Sequence, residues 1–72
     1  MNANLIAANK FWMEAEDKVW KVALENNLEA GLECAMEFDE FDMNEFLFDL
    51  FDYGNHIPTD AEIIEAINEA LN

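Results

Sequence analysis

All three lysines of this chain, Lys10, Lys18 and Lys21, lie within its first 21 residues, and there is no arginine. From Val22 to Asn72 there are fourteen Asp and Glu and no Lys or Arg to offset them. The first third balances its cations against Glu14, Glu16 and Asp17, so the remainder carries the whole formal charge of −14. Charge of that size opposes compaction by self-repulsion. Any fold must keep the carboxylates outward and bury enough apolar surface to overcome them.

The apolar surface is there. Of the 72 residues, 53% are hydrophobic, with two Trp, six Phe and one Tyr. A disordered acidic tail is poor in such residues, so the chain is expected to fold as one domain over 1–72. So short a chain hides little surface by itself, and a homodimer is expected. Cys34 is alone and forms no intramolecular disulfide, which suits a reduced, cytoplasmic setting. No basic region precedes the first apolar residues, and Leu5 to Ala8 is too short for a signal core. No stretch reaches the length of a membrane span. Nucleic acid and anionic lipid would both repel this chain, so its natural counterpart is a basic protein surface.

Helical signals dominate, and the breakers are few: Gly31, Gly54 and Pro58. The apolar spacing predicts helices over about 4–26, 28–38, 43–53 and 60–71, an all-α bundle of about four helices. Asn26 with Glu29, Asp42 with Glu45, and Thr59 with Glu62 are spaced as capping boxes. Gly54 is placed as the stop of the third helix, and His56-Ile57-Pro58 as a linker. Gly31 inside the second helix costs about 1 kcal/mol unless a neighbouring helix needs close approach there.

At about 100° per residue the acids sort into rows. Glu29, Glu33 and Glu37 span an arc of roughly 80°, as do Asp42, Glu45, Asp49 and Asp52, and Glu62, Glu65 and Glu69 span roughly 60°. Like charges four apart destabilise a helix by about 0.2–0.5 kcal/mol per pair, and no interspersed lysine recovers that loss. Carboxylates four apart stand about 6 Å apart along the axis, on the order of the spacing of neighbouring phosphates on a nucleic-acid strand. Such rows suit the Lys/Arg groove of a nucleic-acid-binding protein. A solubilising face is the plainer alternative.

Phe48 falls off the core face of the third helix, between Asn44 and Asp52, and is a candidate partner anchor. The first helix is apolar over more than half its circumference. Phe11, Trp12, Ala15, Val19 and Val22 form one side, Ile6, Met13, Trp20 and Leu24 another, with Asn9 and Glu16 between. That width predicts a homodimer through Phe11, Trp12, Glu16, Val19 and Trp20, or else a helix central in its bundle.

Other chemistry is scarce. The chain has no Ser, Arg or Gln, one Thr, one His and one Cys, too thin a stock for most catalytic machinery. A calcium loop starting at Asp39 puts Phe41 and Met43 at ligand positions, and no second His or Cys stands near His56 for a transition metal. The passage from Phe51 to Ile64 resembles the helix, loop, Ile-Pro and acidic helix of acyl carrier proteins, through Ile57-Pro58 and the neighbouring acids. That family attaches phosphopantetheine to a serine, which is missing here, so no carrier function and no cofactor follow. The expectation is a non-enzymatic acidic inhibitor that mimics nucleic-acid charge and blocks a basic nucleic-acid-binding protein. A phage or mobile-element antagonist of restriction, CRISPR or nucleoid proteins would have this character. The alternatives are an immunity- or antitoxin-like protein that neutralises a basic toxin, with Phe48 or the aromatics near Tyr53 as its anchor, or an acidic adaptor dimer.

Overall fold

The first helix sets the dimensions of the molecule. The computed structural model describes residues 3–72, with side chains from residue 9 onward, so Ile6 lies outside the described side chains. α1 (Ala3–Glu25) has 23 residues, about 35 Å at 1.5 Å per residue, against a longest molecular extent of 38 Å. α2 (Glu29–Glu37), α3 (Met43–Leu50) and α4 (Asp60–Leu71) follow, with one 3-10 turn at Asp52–Gly54 and no strand among the described residues. α1 touches all three other helices, and α2 also packs on α4. The chain is thus an all-helical globule of four helices built round its first.

The core explains this order. Ala15, Val19, Val22 and Ala23 of α1 are buried against Leu32 of α2, Met43 and Leu47 of α3, and Ile63 and Ile67 of α4. Phe51, just past α3, is 2% exposed and completes the cluster. Val19 is fully enclosed by this core, so it is closed to a second copy, contrary to its expected place in a dimer interface. The side of α1 that bears Val19 serves the monomer's own helices. The other side stays open, with Met13 67% and Leu24 63% exposed.

Helix ends depart from the expected chemistry in instructive ways. Asn26 does not cap α2. Its Nδ2 donates back to the Val22 carbonyl at 2.8 Å, and Leu28 stands at the α2 N-cap without a side-chain bond. The reason is the closure of α1, where the Leu28 N–H reaches the Ala23 carbonyl at 2.8 Å and the Asn27 N–H the Leu24 carbonyl at 3.4 Å. This is a Schellman motif with Asn27 left-handed at φ 59°, and it claims Asn26 for the end of α1. α2 closes the same way: the Glu40 N–H bonds the Ala35 carbonyl at 2.8 Å, with Asp39 at φ 56°.

α3 stops at Leu50, several residues short of the expected end near Tyr53. Asp52, Tyr53 and Gly54 are left-handed in succession, with φ of 47°, 54° and 97°, so the reversal starts before the glycine. Stopping early lets Phe51 turn into the core, and its carbonyl accepts from the Gly54 N–H at 2.9 Å and the His56 N–H at 3.1 Å. Holding Tyr53 left-handed costs roughly 1–2 kcal/mol, which the burial of Phe51 must offset. Asp42 caps α3 through Oδ1, which accepts from the Asn44 N–H at 3.0 Å and the Glu45 N–H at 3.3 Å. The Thr59–Glu62 capping box forms in full. The linker before it is stapled to α1: Pro58 is fully buried, and its carbonyl accepts from Lys18 Nζ at 2.9 Å.

Gly31 faces α4, as its cost in propensity implied it should. A Cβ there would meet Leu71 Cδ1 at 3.1 Å. That atom is the end of a flexible side chain in the last turn of α4, so it can shift by a few tenths of an ångström. Gly31→Ala should therefore recover most of the roughly 1 kcal/mol of helix propensity and raise the thermal midpoint by about 4 °C or more. A lowered midpoint would show that Leu71 cannot yield.

Candidate functional site

The rows of α2 and α4 stand on their helices, but of the expected α3 row only Glu45 and Asp49 lie on the helix: Asp42 is its N-cap, and Asp52 falls in the left-handed turn past its end because α3 stops at Leu50. Glu33, Glu37, Asp42, Glu45, Asp49, Asp52, Glu62, Glu65 and Glu69 are all exposed, while Glu29 is half-buried beside Trp20, in a hollow that Glu33 also lines. One carboxylate from α3 and one from α4 meet at an open groove of about 400 Å³. Asp49 and Glu69 stand on its lips, and Phe46, Leu50, Ala66 and Ala70 supply its apolar lining. Asp42 and Glu45 continue into a second hollow at the α2–α3 turn, with Asp39, Glu40 and Phe41. The two hollows thus bring Asp49 to Glu69, and Asp42 and Glu45 to Asp39 and Glu40 of the preceding turn.

Two of these residues also hold the fold together. Asp42 is the α3 cap, and Glu62 closes the α4 capping box: its Oε1 accepts from the Thr59 N–H at 3.1 Å, and Oε2 lies 3.0 Å from His56 Nε2. His56–Glu62 is the only ion-pair contact among the described residues. His56, expected as a loop residue or capping partner, takes the second role. The cations sit elsewhere: Lys18 and Lys21 line a cleft with Glu14, Asp17, Glu25 and Asp60, where the signs mix. Among the described residues, no three His, Cys, Asp or Glu groups converge as a metal site, and no helix is long and apolar enough to cross a membrane.

An aromatic ridge borders the α3 row. Trp12 meets Phe48 edge-on at 4.7 Å between ring centroids, and Phe48 stacks with Tyr53 at 6.0 Å and 21°. Phe11 and Trp12 also pack edge-on with each other and with Phe51, so the ridge is rooted in the core. Phe48 is 43% and Tyr53 72% exposed. The sequence marks Phe48 and the aromatics near Tyr53 as anchors, but not that the two rings stack. Tyr53 reaches Phe48 only because it sits in the left-handed turn, off the α3 helix.

Glu62 has two close partners on its carboxyl, the Thr59 N–H and the His56 ring. The Thr59 backbone N–H, then His56, hold its pKa below the ordinary glutamate value. Such a group contributes stability in full above the ordinary range and loses it as pH falls through the lowered value. In an NMR titration the Glu62 carboxyl should ionise below the usual glutamate range. Thr59→Ala removes the hydroxyl cap, costs about 1 kcal/mol, and should bring the Glu62 midpoint up as the box loosens. An unchanged midpoint would refute that coupling. No protein-family model, curated protein or solved structure matches this chain, so the site stands on its own geometry.

Proposed function

We propose that this protein is a non-enzymatic acidic inhibitor that presents nucleic-acid-like charge to a basic nucleic-acid-binding protein. The observation that carries the reading is the row of exposed carboxylates on each of α2, α3 and α4, with no Lys or Arg from residue 22 to the end. Rows spaced about 6 Å along a helix offer a phosphate-binding groove a repeat it already fits. Asp49 and Glu69, on the groove between α3 and α4, extend that surface from one helix to the next. An antagonist of restriction, CRISPR or nucleoid proteins, of phage or mobile-element origin, is the setting that best matches a basic target and an inhibitor without catalytic groups.

Capture from a lysate of the source organism at low salt should retain a nucleic-acid-binding protein. That protein should elute as salt rises and be displaced by duplex DNA. Converting Asp42, Glu45, Asp49 and Asp52 to Asn or Gln should abolish the capture. Asn caps a helix as well as Asp, so α3 is preserved in that variant. Phe48→Ala should have a small effect. A second reading, an immunity- or antitoxin-like protein that neutralises a basic toxin, draws on the exposed Phe48–Tyr53 pair and predicts the reverse weighting. Capture that survives both changes would sink both readings.

The expected homodimer through the first helix belongs here too, now on the outer side of α1. Met13 and Leu24 are exposed there, with Trp20 between them in the helical register. Light scattering should return twice the 8.3 kDa chain mass, and Leu24→Lys should restore the single-chain value. A wild-type mass of one chain would refute the dimer.

A further inference from the structure

We propose that the Phe48–Tyr53 ridge is an arginine-binding patch, which takes a guanidinium of a basic partner flat against the open face of the Tyr53 ring. The inference rests on the reading that the partner is basic, and it names the residue type that anchors it. One face of Tyr53 stacks on Phe48 at 6.0 Å, and the residue is 72% exposed, so the ring's other side is open to water. Trp12, edge-on to Phe48 at 4.7 Å, backs the stack from α1. The ridge is therefore held in place before any partner arrives, while its outer surface has no protein cover.

The surrounding charge selects the occupant. Glu45 stands one helical turn before Phe48, Asp52 adjoins Tyr53, and Glu16 stands one turn along α1 from Trp12; all three are exposed. No cation shares the face. Lys10 and Lys21 lie about 160° and 180° round α1 from Trp12, and Lys18 is engaged with the Pro58 carbonyl. An apolar partner would leave these carboxylates facing it without donors. Lysine would satisfy the charge, but its ammonium is compact and strongly hydrated. Arginine meets both demands, because its plane stacks on an aromatic face while its N–H fork bonds carboxylates at the edge.

The test titrates the intact protein at low salt with end-blocked hexa-arginine and hexa-lysine peptides by calorimetry. The wild type should bind the arginine peptide about two- to fivefold more tightly than the lysine peptide, the range expected for an exposed cation–π contact. Tyr53→Asn removes the ring at a backbone position that suits Asn, so the variant should fold, which circular dichroism checks. It should bring the two peptides to equal affinity without weakening the lysine peptide. Phe48→Leu should do the same in part. Equal affinities in the wild type, or an arginine preference that survives Tyr53→Asn, would overturn the proposal and leave the basic-surface reading standing. If neither peptide binds, that reading falls and takes this one with it. A wild-type dimer that Tyr53→Asn turns into monomer would assign the ridge to a second copy and overturn the proposal as well.

Discussion

Everything else in the fold depends on one stripe of α1, formed by Ala15, Val19, Val22 and Ala23. It is the surface on which α2, α3 and α4 all find their apolar contacts. Two of its four residues are alanines, which lets the neighbouring helices come close. Because α1 is shared, each later helix needs only a single apolar stripe, and its opposite side is free to be polar. A chain with −14 of charge can fold because its carboxylates are divided among three helices rather than gathered on one. The Lys18–Pro58 bond has the same logic, tying the one extended linker to the hub.

The helices are not tuned for their own stability. Acids in the first turns of α2, α3 and α4, such as Glu29, Glu45 and Glu62, complement the positive end of the helix dipole. The last turns hold no basic residue, and Glu37, Asp49 and Glu69 lie there against the negative end. A lysine at any of these sites would favour the dipole and relieve its neighbours at once. Each row thus continues into positions where a purely structural design would reverse its sign. That pattern supports reading the charge as serving something outside the helices. Two exceptions are structural, since Asp42 and Glu62 cap helices as well as add charge.

What the sequence made legible follows from which physics is local. Helix number and type came from apolar spacing, and the Thr59–Glu62 box from a four-residue pattern, both short-range signals. The Asn26–Glu29 box failed because the same residues also suit a helix C-terminus, and the closure of α1 took Asn26 first. Gly54 misled because Asp52 and Tyr53 accept left-handed backbone when Phe51 is drawn into the core, a tertiary demand. The role of Val19 could not be read from α1 alone, since a wide apolar face says how much surface is buried and not by whom. Helical spacing put Asp52 in the α3 row, from which the early stop at Leu50 removes it, and it could not show Asp49 and Glu69 sharing a groove. Tyr53 stacked on Phe48 was out of reach for the same reason.

The two surfaces act over different distances, which suggests how they divide recognition. At physiological ionic strength charge is screened over about 8 Å, and the molecule is only 18 Å through its shortest dimension. A distant partner therefore senses the summed charge rather than the spacing of any row. Steering of this kind raises the rate of encounter with any basic surface and discriminates little among them. Discrimination has to come at contact, where row spacing, groove shape and the rooted aromatic ridge begin to matter. The ridge is an exposed aromatic surface beside the α3 carboxylates, with Phe48 43% and Tyr53 72% exposed. It is thus the element best placed to convert a general attraction to basic proteins into a preference for one.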